Sequence, residues 1–277
     1  TGANEVCVGE RIRLTSNASG GTGALTITWT CSDPSIATID ANTGEVEGLL
    51  AGTTNITYSV EDTKSCTVTS AIFPVTVNPL PIVVSSLAPY RACDDNTDGI
   101  AVFDLTNAQL AIAILGATQL PADYTISYYE SYNATTKVLS NPIATPTTYE
   151  NKRNNQVVYA EVVRNDGTAC ASVVDFTLRV SPRPVPVLEE KYIICINPET
   201  NQLMPGGEQE LNSGLLAATH TFEWLKDGNV IPDADKSKYT VTEPGVYIVI
   251  ATNKNTTCSS DSKPINVVAS SAPTLIS

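Results

Sequence analysis

The sequence is poor in the side chains that most enzymes use for chemistry. It has one histidine, one methionine and two tryptophans among 277 residues, and only 16% of its residues are charged. A single histidine cannot supply the two or more imidazole ligands of many catalytic zinc centres. The motifs G-x-S-x-G, H-E-x-x-H, the P-loop and G-x-G-x-x-G do not occur in it either. The composition therefore favours a binding or structural protein over an enzyme.

Long apolar runs and basic segments are missing too. No apolar run approaches the roughly 20 residues of a membrane-spanning helix. The net charge is −13, and residues 1–80, 81–184 and 185–277 are each acidic, which disfavours binding to nucleic acid or anionic lipid. We therefore expect no nucleic-acid partner and no membrane insertion. The chain begins at Thr1 without a signal peptide, so we expect a mature piece of a longer protein.

Two proline-rich joints divide the chain into three parts. They are Asn78–Pro81 (NPLP) and Ser181–Pro186 (SPRPVP). Proline withholds an N–H donor and fixes its φ angle, so neither stretch can form a central strand, and both are typical of stiff linkers. We therefore predict three domains, at residues 1–80, 81–184 and 185–277.

Inside each part, apolar residues alternate with polar ones, as on half-buried strands. This pattern runs through Leu25–Thr30, Thr54–Val60, Tyr124–Tyr128, Val157–Val163, Phe176–Val180, Thr221–Leu225 and Val246–Ile250. Short strands separated by turn residues, with a tryptophan on an early strand, predict immunoglobulin-like β-sandwiches. The fold prediction is all-β, with three tandem sandwiches in an elongated rod. One short helix is predicted over Asp104–Leu115 in the middle domain, with Gly116 after its end.

The seven cysteines include no C-x-x-C pair, which argues against zinc ribbons and thioredoxin-like redox sites. Each predicted domain has one cysteine near its start and one near its end. We therefore predict one disulfide in each domain, pairing Cys7 with Cys66, Cys93 with Cys170, and Cys195 with Cys258. Cys31 is left over, as a buried free thiol or as one half of an intermolecular bond. Trp29 and Trp224 are expected to pack on the disulfides of their own domains.

The most distinctive local motif is the acidic loop from Asp94 to Gly99 (DDNTDG). Oxygen-bearing side chains at alternate positions, followed by a glycine, imitate the first half of a calcium-binding loop. The predicted ligands of a structural calcium ion are the side chains of Asp94, Asn96, Asp98 and Asp104 and the carbonyl of Ile100. The loop departs from the EF-hand pattern at Leu105, where a bidentate glutamate is expected. An Asx-rich turn without calcium is the alternative, because the same residues favour turns.

A cluster of tyrosines in the middle part bears on carbohydrate binding, because sugar rings stack on aromatic faces. Tyr124 and Tyr128 share a strand face with Ile126, which is ordinary core spacing. Tyr129 and Tyr132 are better placed for exposure and are the candidate glycan contacts. Packing within the domain is the alternative for both.

Residues in the first and third parts resemble known repeats. Trp29–Asp40, followed by Thr43–Gly48 and Ala51–Tyr58, resembles the bacterial Ig-like group 2 domain. Cys31 stands at a position that is usually serine in that pattern. In the third part, Phe222–Gly228 is similar to PKD-like or Ig-like repeats.

The middle part resembles a repeat found in giant surface proteins of gliding Bacteroidetes, through Cys93–Gly99, Phe103–Thr106 and Tyr124–Tyr129. The order of the three repeats resembles the family of SprB-like gliding-motility adhesins, which type IX secretion exports to the cell surface. This resemblance implies a non-catalytic, structural and adhesive stalk outside the cell, serving surface attachment and gliding. It also implies two partners, neighbouring repeats of the same long chain and surface polysaccharide. We expect the fragment by itself to be monomeric.

Two other functions stay open at this point. One is a carbohydrate-binding or tethering module of a secreted polysaccharide-degrading enzyme. The other is a self-contained enzyme with a carboxylate pair. An exposed, coplanar aromatic pair would favour the first of these, and a deep cleft between domains would favour the second.

Overall fold

The computed structural model describes residues 4–271, and these divide into two compact units. The first unit takes its described residues from Thr1–Ala88, Asp104–Tyr149 and Val157–Thr177. The second takes them from Pro89–Phe103, Glu150–Gln156 and Leu178–Ser277. The predicted domain boundaries stay predictions. They serve below only as names, so that residues 4–80 are the first segment, 81–184 the middle segment and 185–271 the third segment.

The first segment lies wholly in the first unit and is a sandwich of two sheets. Its strands are β1 (Glu5–Cys7), β2 (Arg11–Arg13), β3 (Thr26–Cys31), β4 (Ala37–Ile39), β5 (Glu45–Gly48), β6 (Gly52–Glu61), β7 (Thr67–Thr69) and β8 (Phe73–Asn78). One sheet has the order β1-β8-β6-β3, with β7 also paired to β6, and the other has the order β2-β5-β4. The alternating strand residues Trp29, Val46, Ile56 and Val75 fill the core with Ala37.

The middle segment contributes strands to both units and contains one α-helix. Its elements are β9 (Tyr90–Asp94), β10 (Val102–Phe103), α1 (Ala108–Leu115), β11 (Tyr124–Asn133), β12 (Val138–Pro142), β13 (Tyr149–Glu150), β14 (Gln156–Arg164) and β15 (Ala171–Pro182), with 3-10 turns at Pro121–Asp123 and Pro146–Thr148. Five strands form a sheet in the order β12-β11-β14-β15-β9, and β10 pairs with β13. In the first unit, the ring of Tyr128 packs edge-on against Phe176 with centroids 6.2 Å apart.

The helix begins four residues later than predicted. Asp104, the predicted first residue, accepts hydrogen bonds from the amide and the hydroxyl of Thr106, at 2.9 and 2.6 Å. These hydrogen bonds close a separate turn ahead of the helix. Asn107 is the N-cap, because its side-chain oxygen accepts from the amide of Gln109. Gly116 follows the last turn, as predicted, with a φ of 76°.

The third segment lies wholly in the second unit and is again a two-sheet sandwich. Its strands are β16 (Tyr192–Ile196), β17 (Gln209–Asn212), β18 (His220–Lys226), β19 (Asn229–Val230), β20 (Lys238–Val241), β21 (Gly245–Asn253), β22 (Ser259–Asp261) and β23 (Ile265–Ser271). One sheet has the order β16-β23-β21-β18-β19, with β22 also paired to β21, and the other consists of β17 and β20. Trp224 is fully buried in the core with Ile194, Leu211, Tyr247 and Val249.

All three segments begin and end in the same way. The first strand runs parallel to the last strand of its own segment, β1 beside β8, β9 beside β15, and β16 beside β23. In each pair, a cysteine lies opposite a polar residue, namely Cys7 opposite Asn78, Cys93 opposite Ser181 and Cys195 opposite Ser270. We call Cys7, Cys93 and Cys195 the first-strand cysteines.

The fold prediction is confirmed at the level of class. The described residues are nearly all β, with one α-helix, and form tandem immunoglobulin-like sandwiches. The rod-like arrangement stays a prediction. In residues 4–271, no helix combines the length and the hydropathy needed to cross a membrane.

Candidate functional site

Two disulfides join each segment to the next. Cys7 bonds to Cys170 and Cys93 bonds to Cys258, with Cα atoms 5.6 and 5.5 Å apart, and each bond lies within one compact unit. The predicted bonds Cys7–Cys66, Cys93–Cys170 and Cys195–Cys258 are therefore all wrong. Cys66 and Cys195, predicted to be bonded, are exposed free thiols.

The geometry of the first sandwich explains why a segment does not close its own disulfide. Cys7 lies opposite Asn78, and the residue before Asn78 pairs with Gly52 at the start of β6. Cys66 lies beyond the other end of β6, where its carbonyl accepts a hydrogen bond from the amide of Asp62. The ten residues of β6 separate the two cysteines by about 30 Å. A disulfide needs Cα atoms roughly 4.4–6.8 Å apart.

The third segment presents the same obstacle. Cys195 lies opposite Ser270, near the start of β21, because Gly245 pairs with a residue of the same last strand. Cys258 lies past the other end of β21, where its carbonyl accepts from the amide of Asn253 at 2.9 Å. The nine residues of β21 span about 30 Å. A first-strand cysteine therefore reaches only a cysteine of another segment.

The last cysteine of each segment lies in a turn that contains a left-handed residue. These turn cysteines, Cys66, Cys170 and Cys258, follow the long strands β6, β14 and β21. The residue before each has a left-handed backbone, with φ of 61° at Ser65, 57° at Ala169 and 60° at Thr257. Left-handed backbone is uncommon for residues other than glycine. A left-handed residue directly before the cysteine is thus common to the three turns.

A polar side chain closes the turn around Cys66. The carboxylate of Asp62 accepts from the amides of Cys66, Thr22 and Lys64, at 3.0, 2.9 and 2.8 Å. These hydrogen bonds, that of Cys66 first, hold the pKa of the Asp62 carboxyl below its usual value, because they favour its charged form. Asn253 closes the equivalent turn of the third segment through its neutral amide.

A serine two residues after each bonded turn cysteine contacts the linker. The hydroxyl of Ser172 donates to the carbonyl of Pro81 at 2.7 Å, and the hydroxyl of Ser260 donates to the carbonyl of Pro184 at 2.6 Å. Both prolines stand three residues after the residue that faces a first-strand cysteine. The same kind of hydrogen bond, from a serine hydroxyl to a proline carbonyl, therefore lies beside each of the two disulfides.

Arg183 adds an ion pair next to the second disulfide. Its Nε and Nη2 atoms lie 2.7 Å from a carboxylate oxygen of Asp95, and its Nη1 donates to the carbonyl of Ser259 at 2.6 Å. Ser259 directly follows Cys258. Because both charged side chains are exposed, the ion pair contributes about 1 kcal/mol at most.

The acidic loop is rich in internal hydrogen bonds. Asp94 is 9% exposed, and its carboxylate accepts from the amides of Thr97 and Gly99, at 2.7 and 3.0 Å. Asp98 accepts from the amide of Ile100 at 2.7 Å. These contacts are those of the Asx-rich turn that is the alternative to a calcium site.

Two further predicted calcium ligands, Asn96 and Asp104, also have local partners. The side-chain nitrogen of Asn96 donates to Asp98 at 2.8 Å, and Asp104 closes its own turn with Thr106. Among residues 4–271, no three His, Cys, Asp or Glu side chains lie together as they would around a metal ion. Side-chain amides and backbone carbonyls are also calcium ligands, so calcium at this loop stays a prediction.

Both candidate glycan contacts are half-buried and have aromatic or acidic neighbours. The hydroxyl of Tyr129 donates to the carboxylate of Glu161 at 2.9 Å, and this hydrogen bond raises the pKa of Tyr129. The ring of Tyr132 packs on Tyr159 with centroids 5.8 Å apart and planes 48° apart. This tilted pair is not a coplanar platform. Glycan contact at Tyr129 and Tyr132 stays a prediction.

The two tryptophans pack on aromatic rings and not on disulfides, contrary to prediction. The ring of Trp29 lies 4.7 Å from that of Tyr58, and the ring of Trp224 lies 5.8 Å from that of Tyr239. The cysteines bond to other segments, so aromatic side chains fill the space beside each indole. Cys31 is a half-buried free thiol whose sulfur lies 3.1 Å from a carbonyl oxygen of β4.

Sequence reasoning did not single out Arg183 or the two serines beside the disulfides. A weak signal for the serines is present, because both bonded turn cysteines begin the motif C-x-S, at Cys170 and Cys258. The free turn cysteine does not, since Val68 stands two residues after Cys66. No comparable pattern marks Arg183.

Two parts of the chain match family models. Residues 89–184 match the Flavobacterium inter-domain disulphide bond domain, and they include both cysteines of the middle segment. Residues 11–70 match the Bacterial Ig-like domain (group 2), which confirms the resemblance seen in the first part of the sequence. Residues 11–70 are thus similar to a bacterial Ig-like domain, and residues 89–184 to an inter-domain disulphide bond domain.

Solved structures resemble the chain only distantly. Extracellular domains 3–5 of Drosophila OTK share 10% identity over 96% of this chain and 93% of that chain, with a TM-score of 0.32. The three N-terminal domains of the bacteriophage RB49 outer capsid protein Hoc share 15% identity over 96% of each chain, with a TM-score of 0.39. No curated protein matches this chain.

Proposed function

We propose that the chain is a non-catalytic structural segment of an extracellular bacterial adhesin, in which disulfides between neighbouring Ig-like domains limit extension under load. The observation that carries this proposal is the overlap of the two disulfides, since both closed loops contain residues 93–170. Disulfides persist outside the cytoplasm. The match to a Flavobacterium inter-domain disulphide bond domain supports the same location.

Because the two disulfide loops overlap, three stretches of the chain run in parallel between the same two disulfides. If each disulfide is taken as a junction, three stretches of chain link the same two junctions, residues 7–93, 93–170 and 170–258. They contain 86, 77 and 88 residue steps. A load applied at the two ends of the chain crosses both junctions, and the shortest stretch becomes taut first. The first and third segments are then protected from full extension.

Because of this connectivity, either disulfide alone is enough to limit the maximum extension of the chain. At roughly 3.6 Å per extended residue, the reduced chain reaches about 1,000 Å, and the chain with both disulfides reaches about 380 Å. Either disulfide alone still limits the chain to about 400 Å by the same count. Loss of one bond therefore hardly lengthens the chain, and only loss of both releases it.

Single-molecule force spectroscopy on the whole chain, pulled from its two ends, tests this proposal. We expect nearly equal maximum extensions for the oxidised chain and for the variants C7S/C170S and C93S/C258S. Reductant, or replacement of all four cysteines by serine, is expected to lengthen the chain about 2.5-fold. If each of these two double variants instead lengthens the chain by roughly 500 Å, each has opened two separate loops within domains, and the proposal fails.

We propose that this limit on extension serves surface attachment and gliding of the cell. A tether between a moving cell and a surface transmits force best when it does not lengthen under load. In the bacterium that carries the protein, replacing the four bonded cysteines by serine is expected to weaken attachment under flow without lowering the amount of protein at the surface. The carbohydrate-binding alternative depends on Tyr129 and Tyr132, whose hydroxyl and ring have intramolecular partners.

A further inference from the structure

Both disulfides follow one rule of connection. The first-strand cysteine of one segment bonds to the turn cysteine of the next, as Cys7 does with Cys170 and Cys93 with Cys258. The turn cysteine of the first segment, Cys66, and the first-strand cysteine of the third segment, Cys195, remain free. By the same rule, Cys66 requires a domain that precedes the first segment, and Cys195 requires one that follows the third.

Cys66 and Cys195 occupy the same places along their segments as the bonded cysteines do. Cys195 lies on a first strand that runs parallel to the last strand of its segment, opposite Ser270, as Cys7 and Cys93 lie opposite Asn78 and Ser181. Cys66 follows a left-handed residue, as do the other two turn cysteines. Both free thiols therefore occupy positions from which the chain forms disulfides elsewhere.

Cys66 and Cys195 are more exposed than the bonded cysteines. Cys7, Cys170 and Cys258 are 2%, 1% and 1% exposed and Cys93 is half-buried, whereas Cys66 and Cys195 are both exposed. Cys66 lies in the wall of an open surface cleft of about 430 Å³ in the first segment, beside Asp62 and Val68.

We propose that Cys66 and Cys195 are open ends of the same disulfide pattern and bond to further Ig-like domains of this kind. Cys195 takes the turn cysteine of a domain that follows, and Cys66 takes the first-strand cysteine of a domain that precedes. A second copy of this chain, joined end to end, carries both halves of the bond.

The bond forms by thiol–disulfide exchange with a disulfide oxidant such as oxidised glutathione. The Cys195 thiolate attacks one glutathione sulfur, which gives a mixed disulfide and releases one glutathione thiolate. The partner's Cys66 thiolate then attacks the Cys195 sulfur and releases the second glutathione. Two electrons pass from the two protein thiols to the glutathione disulfide.

Cys31 does not belong to this pattern. It lies at the end of β3, it is half-buried, and its sulfur contacts the Thr54 hydroxyl and backbone carbonyls of its own segment. Cys31 is therefore replaced by serine in the test, so that only the thiols of Cys66 and Cys195 are counted.

The test uses two full copies of the chain in tandem, with residue 277 of the first followed directly by residue 1 of the second. Eleven residues separate β8 from β9 and nine separate β15 from β16. The tandem places ten residues between β23 of the first copy and β1 of the second. The connection thus has the length that the chain uses at its own bonded junctions.

After equilibration of the Cys31→Ser tandem in a glutathione redox buffer, we expect two alkylatable thiols per molecule instead of four. Peptide mapping should show Cys195 of the first copy bonded to Cys66 of the second. Cys195→Ser in the first copy should abolish this bond, and Cys195→Ser in the second copy, the matched control, should leave it intact.

Four reactive thiols, a different partner for either cysteine, or any pairing that displaces the two existing disulfides would overturn the proposal. It rests on the pairing rule and not on the mechanical role, so the thiol count and the force measurement fail independently.

Discussion

At the residue scale, Asp62 makes the turn around Cys66 sensitive to acid. Its folded-state pKa is lower than that of an unfolded aspartate, because three amides donate to its charged form. The ionised carboxylate therefore stabilises the turn above the unfolded pKa of about 4, and this contribution is lost as the pH falls through the lower folded value.

Amide hydrogen exchange checks this expectation. Relative to their intrinsic rates, the amides of Lys64 and Cys66 should exchange faster as the pH is lowered from 6 to 3, and Asp62→Asn should remove this step. The turn closed by Asn253 has no titrating cap and serves as an internal control through the amide of Asn255. An equal acid step at Asn255, or none at Lys64, would contradict the assignment.

At the scale of elements, the strands and turns that carry the bonded cysteines gain stability from the disulfides. The variant C7S/C170S opens a loop with a sequence separation of 163 residues and should lower the free energy of unfolding by about 2–5 kcal/mol. C93S/C258S should do the same, since its loop is nearly as long. Cys66→Ser, which removes an exposed free thiol, is the matched control and should change the urea midpoint little. A midpoint equally unaffected by all three variants would contradict the two bonds.

The strands could be predicted from sequence because their signal is local. Alternation over Val246–Ile250 lies within β21, and alternation over Thr54–Val60 lies within β6. The start of the helix was missed because Asp104, a good cap residue, bonds its own turn through Thr106. A cap residue in the sequence does not show which of two nearby turns it closes.

The disulfides could not be predicted because pairing depends on long-range register. Six cysteines allow 15 complete pairings, and spacing along the chain favoured the pairing within domains. In the sandwich, Cys7 and Cys66 lie at opposite ends of β6, a fact that no local pattern contains. The left-handed residue before each of Cys66, Cys170 and Cys258 is likewise a property of the folded backbone that no local sequence pattern marks.

At the scale of the whole molecule, the overlapping loops change what a disulfide does. A bond within a domain shields only its own loop from load. Two overlapping bonds connect three stretches in parallel, so either bond limits extension when the other is broken. If Cys66 and Cys195 continue the pattern, the same redundancy repeats along a longer array of domains.

The central claim is the connectivity of the disulfides, and non-reducing peptide mapping tests it most directly. Each of the seven cysteines falls in a different tryptic peptide, so a linked pair identifies its bond without ambiguity. We predict that peptide 1–11 is joined to 165–179 and peptide 92–137 to the peptide that begins at residue 255. Peptide 1–11 joined to 65–91, or 92–137 joined to 165–179, would show disulfides within domains and would contradict the account.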